Sequence, residues 1–201
     1  MEFRAFDKIP RLKRECIITE KIDGTNAQIV IEDGATAEHY HPSVTRVLLN
    51  SFPTPNMVIY AGSRNRWIVP GDDNYGFARW VYDNAEELVK LGPGTHFGEW
   101  WGSGIQRGYG LRNGDKRFSL FNTSRWNEET KPACCSIVPV LYRGAFSTDA
   151  IDNVIDDLVI AGSQAAPGFM KPEGIIVFHA ASRENFKVTI EKDEEPKGLA
   201  A

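Results

Sequence analysis

The segment Thr19-Glu20-Lys21-Ile22-Asp23-Gly24-Thr25-Asn26 sets a lysine at the end of an apolar run, just ahead of a turn. Burial among the run's apolar neighbours would disfavour the ammonium and leave the free amine, which is a nucleophile. The glycine lets the backbone turn sharply and lets a phosphate come close. A plain hairpin with a solvated lysine has the same pattern, so Lys21 gains meaning from its companions, which follow in a fixed order. Gly62-Ser63-Arg64-Asn65-Arg66 closes an apolar run with two arginines, and Phe97-Gly98-Glu99-Trp100-Trp101-Gly102 brackets a carboxylate with glycines. Phe118-Ser119-Leu120-Phe121 carries aromatics. Glu173-Gly174-Ile175-Ile176-Val177 opens an apolar run with a glutamate, and Phe186-Lys187-Val188 puts a lysine inside another.

The elements that must position these groups are mostly strands. Runs rich in Ile, Val and aromatics over 16–20, 27–32, 57–61, 95–101, 118–121, 137–142, 174–179 and 185–190 read as extended. Asp23-Gly24 reads as the turn between the first two. Helical spacing appears twice. Phe77, Trp80, Val81, Ala85 and Leu88 predict a helix within 74–91, stopped by Gly92-Pro93. Ile151, Val154, Ile155 and Leu158 predict another, from Thr148 as N-cap to Gly162. Segment 33–56, with Gly34, Pro42, Pro53 and Pro55, reads as an irregular excursion. Many strands in neighbouring pairs with two helices indicate an α+β fold built on antiparallel sheets.

Taken together, the motifs resemble the covalent nucleotidyltransferases, the superfamily of ATP-dependent DNA and RNA ligases and mRNA capping enzymes. Thr-Glu-Lys-Ile-x-Gly-Thr-Asn and Phe-Gly-Glu make the chain most similar to the RNA ligase 2 group of nick-sealing RNA ligases, over about residues 15–190. The resemblance implies two antiparallel sheets flanked by helices, with ATP in a groove between them on which Lys21, Glu99, Glu173 and Lys187 converge. It assigns Lys21 as the nucleophile that attacks the α-phosphate of ATP to give lysyl-AMP, and the backbone of Glu20 and Ile22 to the adenine edge. Asn26 serves the steps near the adenylate phosphate, Arg64 contacts nucleotide or nucleic acid, and Glu99 bonds the ribose. Phe121, rather than Phe118, stacks on adenine, Glu173 associates with a divalent metal, and Lys187 neutralises the α-phosphate. ATP as substrate, Mg²⁺ or Mn²⁺, and nucleic acid with 5′-phosphate and 3′-hydroxyl ends, RNA favoured, follow from the same likeness, as does a place in RNA repair. Such chemistry needs in-line positioning and cations around phosphate more than covalent help, and a hard cation held by carboxylate and water supplies much of that charge.

Two positions depart from the pattern. The last motif is Lys187-Val188-Thr189 where the family has Lys-x-Lys, so Lys192, Arg183 or a second metal would have to supply the missing charge. Phe121-Asn122 stands where relatives have Phe-Asp. The resemblance frames the chain as one adenylation domain over 1–190 with a charged tail over 191–201. No C-terminal oligonucleotide-binding-fold or helical domain is expected beyond it, and a protein partner would supply one. A DNA nick ligase, or an ATP-binding module that works with a partner, are the alternatives.

Composition bounds these readings. With 42% hydrophobic and 25% charged residues the chain is a globular protein rather than a disordered one. No apolar run approaches the length needed to span a bilayer, so no membrane role is expected. Three cysteines, Cys134 and Cys135 adjacent, do not make a disulfide framework, which fits a reducing cytoplasm. The formal net charge of −4 speaks against a coat for non-specific DNA binding, although Arg107, Arg112, Lys116, Arg117 and Arg125 concentrate positive charge in one stretch. His39 and His41 alternate without a third ligand and fall short of a zinc site. Asp149, Asp152 and Asp156 read as a solvated helix face. One of Trp100 and Trp101 is expected in the core. Trp67 and Trp126 could stack on bases, with burial the expectation for Trp67.

Overall fold

A computed structural model describes residues 2–34, 43–49 and 56–191. The chain forms two compact units, Met1–Lys21 with Pro139–Ala201, and Ile22–Val138. Each combines a largely antiparallel sheet with helix, one described helix in the first unit and several short ones in the second, the α+β class that the alternating apolar runs indicate.

In the first unit, β1 (Glu15–Lys21), β9 (Val140–Ala145), β10 (Gly174–His179) and β11 (Glu184–Thr189) form a sheet in the order β11-β10-β1-β9, antiparallel throughout. Cys16 and Ile18 of β1 and Ile175 and Val177 of β10 alternate onto one face, where Val154 and Leu158 of α3 (Thr148–Ala161) cover them. Ser147, not Thr148, is the N-cap of α3: its Oγ accepts the Ala150 N–H at 3.0 Å. Gly162 closes the helix in a positive-φ conformation, and Asp149, Asp152 and Asp156 face solvent.

The second unit holds β2 (Thr25–Asp33), β3 (Val44–Leu49), β4 (Asn56–Ser63), β5 (Trp67–Ile68), β6 (Gly94–Gly102), β7 (Lys116–Leu120) and β8 (Ser136–Ile137). The sheet order is β3-β4-β2-β6-β7-β8, with β5 added to β4, and among the described residues only the β7–β8 pair is parallel. Ala27, Ile29 and Ile31 alternate into a core with Ile59, Leu88, Trp100 and Phe118. Phe77, Trp80, Trp100 and Phe118 meet there with ring centroids 5.2–5.8 Å apart.

Several expectations are corrected. Segment 33–56 is not wholly irregular, because β3 lies within it and pairs with β4; His39 and His41 lie outside the described residues. The single helix expected within 74–91 is α1 (Phe77–Asp83), α2 (Ala85–Leu88) and a 3-10 turn, Val89–Leu91. The break falls at Asn84, whose side chain and backbone N–H both donate to the Trp80 carbonyl. The run 137–142 is two strands of different sheets, β8 and β9, split at Pro139, which has no N–H to give a ladder. Cys134 and Cys135 are free thiols in the turn before β8, with Cys135 in the core. Both Trp100 and Trp101 are buried; Trp126 is buried too, whereas Trp67 is 40% exposed.

Candidate active site

Strand β1 delivers Glu20 and Lys21 to opposite environments. Successive strand residues face opposite ways, and the Glu20 carboxylate is buried in the loop after α3. There it accepts from Ser163 Oγ at 2.5 Å and from the backbone N–H groups of Gln164 and Ala165 at 2.8 and 2.9 Å. Burial pushes the Glu20 carboxyl above its ordinary range, against the lowering effect of those three donors. Lys21 projects the other way, and its Nζ forms an ion pair with Glu173 at the start of β10. Lys21 is opposite Gly174 in the β1–β10 register, and Gly174 is opposite Thr189 in the β10–β11 register. Thr189, the position where the family pattern has its second lysine, therefore lies in the same lateral row as Lys21. One step along the same face comes the row Thr19, Ile176 and Lys187. Arg183 lies in the turn between β10 and β11, beyond the His179–Glu184 pair at the far end of the sheet from Lys21, so it does not stand in for a charge at Thr189. Lys192 lies outside the described residues.

In the second unit the turn Asp23-Gly24 and strands β2 and β6 build a polar row. Glu99 is buried and accepts from the Gly24 N–H at 3.1 Å and from Asn26 Nδ2 at 3.2 Å. Arg64, just past β4, donates through Nε and Nη2 to Asn26 Oδ1 at 2.8 and 2.6 Å. Three of the residues that the resemblance selects are thus joined as Arg64–Asn26–Glu99. Gly24 is required by close approach: a Cβ there would stand 2.5 Å from the Trp100 carbonyl oxygen and 2.7 Å from Trp101 Cβ. A Cβ at Gly98 would meet the Phe118 ring at 2.5 Å. The Ile22 side chain is buried. Phe118 is fully buried, whereas Phe121, one residue past β7, is 41% exposed.

Sequence reasoning missed what holds the turn after Lys21. Asp23 donates its backbone N–H to Tyr109 Oη at 2.9 Å, and its carboxylate pairs with Arg107 Nε at 3.2 Å. Tyr109 is buried and sits at φ 50°, in a loop where Gln106 and several glycines also take positive φ. The glycine density of 102–110 was the available signal. Arg107 therefore belongs to the site's framework rather than to an open basic surface. Lys116 donates to the Tyr75 carbonyl, Arg117 pairs with Asp115, and Arg125 donates to the Leu91 carbonyl.

A divalent cation would find a carboxylate beside Lys21 in Glu173. No group of three or more His, Cys, Asp or Glu among the described residues could enclose a metal ion. That donor set fits Mg²⁺ or Mn²⁺ shared between one carboxylate, substrate phosphate and water, and does not fit a closed structural metal site.

A model of the RNA ligase family matches residues 14–192. No curated protein matches the sequence significantly. Among solved structures, a Naegleria gruberi RNA ligase variant with ATP and Mn aligns over 90% of this chain at 16% identity and a TM-score of 0.55. A variant with AMP and Mn aligns over 89% at 17% identity and a TM-score of 0.56, and an apo variant over 90% at 17% and 0.53. Likeness at that identity establishes a shared fold. The chain spans 50% of the length of each.

Proposed function

The chain belongs to the RNA ligase family, and on that premise we propose that it is an ATP-dependent RNA ligase acting through a covalent lysyl-AMP. The observation that carries the reading is Lys21, paired with Glu173 and sharing a sheet face with Lys187. Lys21 Nζ, as the free amine, attacks the α-phosphorus of ATP. The N–P bond forms as the bond to the bridging oxygen breaks, pyrophosphate leaves, and the amine loses a proton. The lysyl-AMP then passes its AMP to the 5′-phosphate of an RNA strand, and a 3′-hydroxyl attacks that activated phosphate and releases AMP.

The chain's own groups divide this work. Glu173 holds Lys21 before substrate arrives, and its carboxylate is the one that would hold a divalent ion. When bound, such an ion neutralises phosphate charge that builds in the transition state. Lys187 adds an exposed cation on the same face. Glu99 and Asn26, locked to Gly24 and Arg64, present a preset arrangement of donors and acceptors suited to the ribose and the adenylate phosphate. Phe121 offers its exposed ring to adenine. Mn in the Naegleria gruberi structures supports the choice of a hard divalent ion.

Sealing assays on nicked duplexes separate this reading from its neighbours. With ATP and Mg²⁺ or Mn²⁺, an RNA nick should be joined at least tenfold faster than the same nick in DNA, and Lys21→Ala should join neither. Preference for DNA would make the protein a DNA nick ligase. Thr189 in the row of Lys21 favours one second reading, an ATP-binding module with reduced catalysis, whose signature is ATP binding without lysyl-AMP.

A further inference from the structure

One tryptophan on the second unit's sheet keeps much of its ring outside the core. Trp67 is 40% exposed, although the adjacent Ile68 is buried in the core. Because neighbouring strand residues face opposite ways, Ile68 fixes Trp67 on the face away from that core. The turn before it is tied down. Ser63 donates to the Arg66 carbonyl, and Arg66 donates to the Trp67 and Asp72 carbonyls and pairs with the Asp72 carboxylate. Tyr60 backs the indole, centroids 5.5 Å apart and tilted by 46°. The ring is therefore held, and part of it is left open.

The strand register extends this observation across the sheet. Trp67 is opposite Gly62, Gly62 is opposite Gln28, and Gln28 is opposite Phe97. The Phe121 N–H donates to the Phe97 carbonyl, which continues the same row. Phe97 is 57% exposed and Phe121 41%. Three exposed aromatic rings thus share one lateral row, on the face that also carries Arg64, Asn26 and Glu99. Four strand spacings separate Trp67 from Phe121, about 19 Å, too far for one nucleobase to reach both.

We propose that Trp67 is a base-stacking site for unpaired RNA, at the opposite end of an aromatic row from the ring assigned to adenine. This rests on the ligase reading for its substrate class. Base–aromatic stacking is sequence-tolerant because every base has a π face, and positive charge near the ring adds attraction for phosphate; the exposed Arg66 precedes it in the chain, and the exposed Arg64 lies in the same turn between β4 and β5. Trp126, the other tryptophan considered for stacking, is buried and has no such access.

The test uses a 5′-phosphorylated oligouridylate and the full chain, at one fixed salt concentration. Oligouridylate is expected to quench the tryptophan emission of the wild type, and ATP alone is not. By anisotropy of the labelled oligonucleotide, Trp67→Leu, which keeps apolar bulk over Tyr60, should raise Kd about 5- to 100-fold, and Trp67→Phe should restore most of the affinity. Equal Kd in all three proteins, or failure of the wild type to bind RNA, overturns the proposal. Quenching by ATP that competes with RNA also overturns it, because the ring would then belong to the nucleotide pocket. Should the Leu variant not fold, the Phe variant decides together with the quenching: a Kd indistinguishable from wild type with no RNA-induced quenching rejects the site. RNA binding needs no lysyl-AMP, so the order Trp, Phe, Leu in a protein that forms no adduct would reject the ligase reading and keep this one.

Discussion

Glu20 and Lys21 are neighbours with opposite tasks, and the difference lies in what each side chain meets. Lys21, Asn26, Glu99 and Glu173 were singled out by the family resemblance of the short motifs they stand in, and the structure pairs Lys21 with Glu173 and Asn26 with Glu99. Glu20's role was not legible, because its carboxylate meets Ser163, Gln164 and Ala165, more than 140 positions away. Tyr109 was hidden likewise, its hydroxyl reaching Asp23 across 86 positions. Glu20→Ala should leave those three donors without an acceptor and lower stability by about 3 kcal/mol, measured by urea unfolding. The wild type should also show a pH slope. Glu20's folded pKa lies above its unfolded value near 4.5, so the native state binds the extra proton between the two. Glu20's contribution then falls as pH rises through that window. In Glu20→Gln this part of the slope should vanish; an unchanged slope would show that Glu20 does not titrate there.

At the scale of elements, strands were legible where one face is buried and the other is not. Alternation marks β2 as plainly in Ala27, Ile29 and Ile31 as in the finished sheet. Pairing was not legible. The run 137–142 looks continuous in composition, yet Pro139 divides it between two sheets, and the β-branched residues Val44, Thr45 and Val47 of β3 were outweighed by the prolines on either side. Register is what gives the departure at Thr189 physical meaning, since it puts that position in line with Lys21 through Gly174. Thr189→Lys should set a second cation in that row and raise the rate of lysyl-AMP formation by up to about tenfold, read in single-turnover reactions with labelled ATP. Thr189→Ala should be close to wild type. A lysine variant no faster than the alanine variant would mean that charge at this position is not what limits the step.

At the scale of the whole molecule, the chain leaves its first unit immediately after Lys21 and returns to it at Pro139. Lys21, Glu173 and Lys187 thus belong to one unit, and Arg64, Asn26, Glu99 and Phe121 to the other. The α+β class and the family were both accessible from the ordered motifs, because each motif is a local sequence that the fold spaces out. The grouping of residues into two units was not, since it depends on which strands pair. The central claim is that Lys21 becomes covalently adenylated, and intact mass tests it most directly. After incubation with ATP and Mg²⁺ or Mn²⁺, the protein should gain the mass of one AMP, lose it on addition of pyrophosphate, and gain nothing as Lys21→Ala. Failure of the wild type to take up AMP under any of these conditions, or an adduct that persists in Lys21→Ala, would contradict it.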